Sequence, residues 1–286
     1  MPVTVPRHEL SADEAARRAE RLDASAGRKI DSLEESSRSL GRVFSTSLAA
    51  ACTHCGADPR AAMLPTWEAF VTAMQVGSAV FKAATASEEA VQCRIARKMR
   101  TIPVTGPAHF TDAGSWLTAF FLAIICREQE RMTELAQVPV SLLRESGAEY
   151  DEYIYAWVDT LQTWWLRGGE IGDKLVKAMN GTDPEHLQIA DAELMLKILY
   201  PPINLFYRYV VRGQEAFNAE LANALQWHKE YWTEDEGRAI DATGWVALEL
   251  LAMACLAYDA GFPVEVESEY LPKHLLERSW VGEFDT

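Results

Sequence analysis

The side chains that could carry chemistry in this chain include five cysteines and six histidines. Cys52 and Cys55 form a C-x-x-C pair, which can hold zinc or act as a redox dithiol. Zinc needs two further ligands, and the chain has no second pair, only Cys93, His54 and Cys126 as isolated candidates. A thioredoxin-like dithiol follows a strand in a βαβ unit, whereas this pair ends a predicted helix. We therefore expect small apolar residues closing a helix, with no metal and no cofactor.

The remaining motif types of catalysis and nucleotide binding are missing from the sequence. H-E-x-x-H, G-x-G-x-x-G, G-x-x-x-x-G-K-[ST] and G-x-S-x-G do not occur, and no Glu-x-x-His has a matching second copy. No catalytic residue can be assigned, which favours a protein that is not an enzyme. A small-molecule-binding protein or enzyme remains open, because nine tryptophans, including the doublet Trp164-Trp165, could line an aromatic pocket between helices.

Carboxylates and aromatic side chains are concentrated in three segments of the second half of the chain. Tyrosine and tryptophan supply large contact areas at low entropy cost, so these segments are candidates for anchoring a protein partner. The alternative is that each segment supplies a core face and a solvated face. The candidate residues are Glu149, Tyr150, Asp151, Glu152 and Tyr153 in the first segment, Trp232, Glu234 and Asp235 in the second, and Glu265, Glu267 and Glu269 in the third.

The negative charge is confined to one half of the chain. Residues 1–136 carry 16 basic and 16 acidic side chains, and residues 137–286 carry 11 basic and 26 acidic ones, so the second half accounts for the whole net charge of -15. Phosphate contacts need clustered Lys and Arg, so we expect neither nucleic acid nor a membrane surface as a partner. The excess of acidic side chains either covers the solvated faces of helices or forms an acidic surface that steers a basic partner.

Hydrophobic spacing predicts helices nearly throughout the chain. We predict an all-α fold, a multi-helix array of antiparallel α-hairpins that could pack as a solenoid does. It forms a single domain over residues 1–286, with a neutral part over 1–104 and an acidic part over 105–286. At most one short β-hairpin is expected, near residues 90–104, where apolar and polar residues alternate.

Caps and helix breakers set the expected boundaries. Ser11 and Glu14 form a capping-box signature. Pro201 and Pro202 predict a break after Tyr200, because proline lacks the donor that a helix interior needs. The predicted helices cover about 30–52, a stretch from Pro65, 116–131 after the cap Asp112, 149–167, 203–212, 214–231 and 244–260. The tail from Val264 is predicted to be extended, with a short helix from Pro272.

The sequence carries no apolar segment of signal-peptide type and no run of about 18 uncharged apolar residues. An odd number of cysteines spread thinly through a long chain is typical of reduced thiols. We therefore expect a cytoplasmic protein.

Several long strings in the sequence resemble the immunity protein 49 family. They cover roughly the last two-thirds of the chain, whereas the first hundred residues match only in general character. The strings are TGPAHFTDAGSWLTAFFLA (105–123), GAEYDEYIYAWVDTLQTWW (147–165), LYPPINLFYRYV (199–210), FNAEL (217–221), HKEYW (228–232) and LAYDAGFPVEVESEYLPKHLLERSWVGEF (256–284).

The resemblance implies an all-α immunity protein of a bacterial polymorphic toxin system that neutralises a toxin encoded beside it. It supplies no catalytic residues. A stoichiometric inhibitor whose acidic half captures a basic toxin domain is the leading hypothesis. The alternatives are the small-molecule-binding protein or enzyme described above and a scaffold that holds a host protein unrelated to toxins.

Overall fold

A computed structural model describes residues 3–286 of the chain, and helices form most of it. The helices are α1 (Ala12–Asp31), α2 (Leu40–Ala57), α3 (Leu64–Thr85), α4 (Ala113–Cys126), α5 (Gln129–Ala136), α6 (Val140–Arg144), α7 (Tyr153–Trp165), α8 (Ile171–Asn180), α9 (Ala192–Leu194), α10 (Tyr200–Val210), α11 (Gln214–Trp232), α12 (Glu236–Ala239), α13 (Leu248–Asp259) and α14 (Lys273–Leu276). The strands are β1 (Val3–Thr4), β2 (Ala90–Ile95), β3 (Lys98–Pro103) and β4 (Val266–Glu267). The prediction of an all-α fold with a minor β component is confirmed.

Helices that follow one another in sequence pack as pairs, in the order α1, α2, α3 and α4 and again in α7 with α8 and α10 with α11. The helix α4 has no charged residue and is buried along most of its length. It therefore packs against α3 on one side and against α13, more than a hundred residues later, on another. Such long-range packing closes the array, whereas each unit of an open solenoid contacts only its neighbours.

The predicted β-hairpin is present at β2 and β3, which pair in antiparallel register from Ala90 with Pro103 to Ile95 with Lys98. Ala96 and Arg97 form its two-residue turn, both with positive φ, as the favoured hairpin turns require.

A second, smaller sheet was not predicted. The strand β1 pairs in parallel with β4, so that Val3 aligns with Val266 and Thr4 with Glu267. The predicted extended tail is thus correct around Val266, but its strand partner comes from the opposite end of the chain. Two residues are too short a run to show a period in the sequence.

Two predicted helices have other boundaries in the structure, and an arginine that contacts distant segments lies at each of these boundaries. The helix expected over 30–52 is α2, which begins only at Leu40 and ends at Ala57. Ile30 and Asp31 instead close α1, where the buried guanidinium of Arg100 lies 3.4 Å from the Ile30 carbonyl oxygen and 2.9 Å from the Asp31 carboxylate. The helix expected over 116–131 ends at Cys126 because Arg127 adopts φ 60°. Its guanidinium donates to the carbonyl oxygens of Leu275 and Leu276, both at 2.7 Å.

The predicted break after Tyr200 is wrong. A π-helical turn over Met195–Leu199 joins α9 to α10, and the Tyr200 amide donates to the Met195 carbonyl. Pro201 and Pro202 then occupy the first turn of α10, a position that tolerates proline because backbone donors there need no partner within the helix.

One stretch, Ala242–Asp259, is long and apolar enough to cross a membrane by length and composition, with a mean hydropathy of 1.2 over 18 residues. Of this stretch, 72% is buried inside the fold. It includes α13, which packs against α4 and α10 as a core helix.

Candidate functional site

The first acidic–aromatic segment does not form the helix that the sequence predicts over 149–167. Residues 149–152 precede α7, which begins at Tyr153. The Tyr150 hydroxyl donates to the Asp112 carboxylate at 2.8 Å, and Asp112 also caps α4. Tyr153 is only 5% exposed. Neither tyrosine is presented as a free anchor, because one is bonded within the fold and the other lies in the core.

Two carboxylates of this segment are used inside the fold. Asp151 accepts hydrogen bonds from the backbone amides of Gln188, Ile189 and Ala190, the shortest at 2.7 Å. Glu152 accepts two hydrogen bonds from Arg144, at 2.7 and 2.6 Å. This ion pair lowers the pKa of Glu152 and raises that of Arg144.

Glu149 is the exception in this segment. Its side chain is exposed, and it has no ion-pair partner among the residues that the structure describes.

The second segment is organised by an arginine that the sequence analysis did not single out. Arg238 pairs with Glu234, lies 3.6 Å from the Asp235 carboxylate and 3.7 Å from that of Glu193, and covers the ring of Tyr231 at 4.1 Å. Arg238 therefore offsets part of the negative charge of this segment and holds its carboxylates against the fold.

Trp232 is partly buried and packs against the protein. Its indole ring lies so close to Gly244 that a Cβ at that position would come within 2.3 Å of it, which explains why a glycine occurs there. The indole nitrogen is buried and has no hydrogen-bond partner in the described part of the chain. Trp232 is a packing residue between α11 and the turn over residues 242–245.

The third segment presents its carboxylates to solvent. Glu265, Glu267 and Glu269 are all exposed, while Val266 and Tyr270 between and beside them are buried. This alternation is that of an extended chain with one face on the core, as the sequence predicts. We call these three glutamates the acidic strip. Only Glu269 approaches a cation, at 3.9 Å from Arg7, so within residues 3–286 Glu265 and Glu267 are unpaired.

The acidic strip is held rigidly along α11. Asn218 fixes its beginning, because its side-chain oxygen accepts from the Glu265 amide at 2.7 Å and its side-chain nitrogen donates to the Pro263 carbonyl at 2.8 Å. The strand β1 supports its middle through the Val5 amide, which donates to the Glu267 carbonyl at 3.0 Å. Tyr270, at its end, packs edge-on against His228 of α11, with ring centroids 4.8 Å apart.

A buried polar cluster lies beneath the end of the strip. His228 donates from Nε2 to the Gly244 carbonyl at 3.0 Å, and His8 donates from Nε2 to the Ala239 carbonyl at 3.1 Å. The free Nδ1 of His8 then accepts from the Tyr270 hydroxyl at 2.8 Å. Burial lowers the pKa of His228 to about 4 and also lowers that of His8, so both rings are neutral near pH 7.

An apolar cavity of about 470 Å³ opens beside the first segment, between α4, α7, α10 and α13. Phe121, Trp157 and Pro202 line it, as does Glu249 of α13. Sequence reasoning missed Glu249, although it is the only charged residue between 244 and 257. The tryptophan in this cavity is Trp157. The doublet Trp164-Trp165 packs elsewhere, with Trp165 donating to Thr133.

The cysteines lie in the core. All five thiols are free and buried, and burial raises the pKa of Cys52 to about 12 and that of Cys55 well above its usual range. Cys52 and Cys55 both pack in the core as part of α2, where burial disfavours thiolate, the reactive and metal-binding form of cysteine. Within residues 3–286, no group of three or more His, Cys, Asp or Glu side chains is placed to hold a metal ion.

Comparisons with known proteins give one match. No curated protein and no solved structure matches the chain. A family model described as Immunity protein 49 matches residues 58–275, which begins earlier than the resemblance seen in the sequence and takes in α3 and the β2–β3 hairpin. Because the match covers well over half of the residues, the chain belongs to the immunity protein 49 family.

Proposed function

We propose that this protein binds a cognate bacterial toxin domain and neutralises it as a stoichiometric inhibitor. The observation that carries the proposal is family membership over residues 58–275. The proposal includes a cytoplasmic location and a polymorphic toxin system as the biological setting.

The acidic strip is the surface we propose for contact with the toxin. Among the candidate carboxylates, those of Glu265 and Glu267 are exposed, unpaired within the described residues and mounted on a backbone fixed by β1 and Asn218. Unpaired charges on a rigid edge attract an oppositely charged partner from a distance of about 8–10 Å at physiological salt. We therefore expect a basic toxin surface, and we expect the strip to act mainly on the association rate.

The test is a titration of the purified protein against the toxin domain encoded beside its gene, at low and at physiological salt. We expect one-to-one binding that silences the toxin. The double variant Glu265→Gln/Glu267→Gln should associate roughly tenfold more slowly at low salt, with a flatter salt dependence. The matched control is Glu20→Gln/Glu35→Gln, which removes two exposed carboxylates from the neutral part of the chain.

Three outcomes would count against the proposal. Absence of toxin binding at both salts overturns the inhibitor function. Equal association rates for the strip variant and the control overturn the strip as the contact surface. Recovery of a stable host partner without any protection against the toxin supports the scaffold alternative.

A small-molecule-binding protein is the second candidate function, and one observation favours it. The cavity beside α7 combines aromatic walls with a partly exposed carboxyl group at Glu249, which is the usual make-up of a small-ligand site. A ligand-induced rise in melting temperature or quenching of tryptophan fluorescence tests this function.

A further inference from the structure

The lining of the cavity beside α7 is acidic as well as apolar. Its walls come from α4, α7, the loop before α9 and the start of α10. Four of the residues that line it are acidic and none is Lys or Arg: Glu149, Asp151, Asp191 and Glu249.

Two of these four carboxylates are already bonded within the fold. Asp151 accepts from the amides of residues 188–190, and Asp191 caps α9 by accepting from the Glu193 amide at 2.8 Å. The other two have no ion-pair partner among residues 3–286. Glu149 lies exposed at the rim, and Glu249 lies between the buried residues Leu248 and Leu250 of a core helix.

Glu249 is the unusual member of this set. The cavity leaves Glu249 partly exposed, but its apolar surroundings reduce the hydration of the carboxyl group, so a cation that enters the cavity would stabilise the charged form. Burial raises the pKa of Glu249, and no side chain in the described part of the chain compensates it. The same carboxyl group shares the cavity with the rings of Phe121 and Trp157, and aromatic faces attract cations and their aliphatic stems.

From this arrangement we infer that the cavity binds an organic cation, an ammonium or guanidinium group on an aliphatic stem, with its charge at Glu249 and its stem against Phe121 and Trp157. The volume of about 470 Å³ is ample for a side chain of lysine or arginine, or for a free amine of that size. The inference concerns the cavity alone and does not depend on the proposed inhibitor function.

The test uses four small probes with chains of four carbon atoms: n-butylammonium, n-butylguanidinium, n-butanol and butyrate. Calorimetric titration of the full chain should show binding of the two cations at least tenfold tighter than that of butanol, and no binding of butyrate. The variant Glu249→Gln keeps the shape of the side chain and removes its charge, so it should weaken cation binding at least tenfold. The matched control Glu236→Gln removes an exposed carboxylate outside the cavity and should leave binding unchanged.

A second measurement does not depend on the folding of any variant. In the wild-type protein, n-butylammonium should shift the NMR signals of the Trp157 indole and of the α13 amides while leaving those of Trp67 unchanged. Equal binding of butanol and butylammonium, unchanged cation binding in Glu249→Gln, or shifts confined to other regions would each overturn the inference.

The toxin titration separates the two sources of the cation. If Glu249→Gln weakens toxin binding and n-butylammonium competes with the toxin, the occupant is a basic side chain of the partner. If the toxin binds both forms equally while the probes bind only the wild type, the occupant is a free amine. Failure of the wild-type protein to bind the toxin overturns the proposed function and leaves the result of the probe titration intact.

Discussion

The acidic segments at 149–153 and 265–269 are alike in composition and differ in what their carboxylates do. In the first, Asp151 holds three backbone amides of another loop, and Glu152 holds Arg144. In the second, Glu265 and Glu267 have no partner within residues 3–286 and point to solvent from a strand whose backbone is fixed on both sides.

The difference between the two segments shows that the number of acidic residues in a segment does not by itself identify a binding surface. A carboxylate that accepts several hydrogen bonds within its own fold has few acceptor sites left for a partner, and one that is paired with an arginine has also lost its net charge. Among the carboxylates of the three candidate segments and the cavity, those of Glu149, Glu249, Glu265 and Glu267 have no such partner within residues 3–286.

Acidification should destabilise the packing of His228 against Tyr270, which lies beneath the end of the acidic strip. This is the largest effect on the free energy of unfolding that we expect. The unfolded chain protonates His228 near pH 6.5, whereas the folded chain does so only near pH 4. The contribution of His228 is therefore fully present above pH 6.5 and is lost as pH falls from 6.5 to 4, by roughly 3 kcal/mol in free energy of unfolding. Urea unfolding at a series of pH values measures this loss.

The variant His228→Gln is the control for that experiment, since it cannot be protonated and its amide can still donate to the Gly244 carbonyl. Its unfolding free energy should fall less steeply than that of the wild type between pH 6.5 and 4. Parallel pH profiles for the two proteins would show that His228 does not carry the effect.

Within the first segment, removing a carboxylate that is bonded within the fold should cost more stability than removing a free one. Asp151→Ala leaves the amides of residues 188–190 without their acceptor, and we expect a loss of about 2 kcal/mol in free energy of unfolding. Glu149→Ala, two residues earlier and exposed, should cost less than about 0.5 kcal/mol. Denaturant melts of the two variants test the pair, and equal losses would contradict the assignment.

The exposed ion pair of Glu152 with Arg144 should give the smallest effect. Glu152→Gln is expected to lower the free energy of unfolding by about 0.5 kcal/mol at low salt, because both partners are largely exposed and solvent screens them. In about 1 M salt the difference between variant and wild type should vanish, since screening then acts within a few ångströms. A difference that persists at high salt would mean that the ion pair contributes more to the free energy of unfolding than its exposure indicates.

Much of the fold was predictable because periodic apolar patterns and caps are local signals. The helix from Pro65, the β2–β3 hairpin, the Asp112 cap and the short helix after Pro272 all follow from residues close to one another in sequence. The errors at the start of α2, at Cys126 and at Tyr200 have a different origin. Arg100 and Arg127, whose guanidinium groups meet distant segments, lie at the first two boundaries, and at the third the helix continues through a π turn.

The candidate site was predictable only in part. The alternation of Glu265, Glu267 and Glu269 with Val264, Val266 and Ser268 predicted an extended segment, and side chains of an extended chain alternate between two faces. The first two segments were placed on the surface as anchors, yet Tyr153 lies in the core, Trp232 packs against Gly244, and Arg238 pairs with Glu234. When aromatic residues lie on several faces of a helix, their spacing does not show which of these faces is buried in the core.

The sequence by itself determined the helical class, the single hairpin, the concentration of negative charge after residue 136 and the family to which the chain belongs, since each is written in composition, period or long strings of residues. Only the tertiary structure decided which carboxylates are free and which are bonded, and it alone brought Glu249 to an aromatic cavity. Pairing depends on the distance between side chains in space, and contacts such as Asp151 with residues 188–190 or Val3 with Val266 join positions that no local pattern connects.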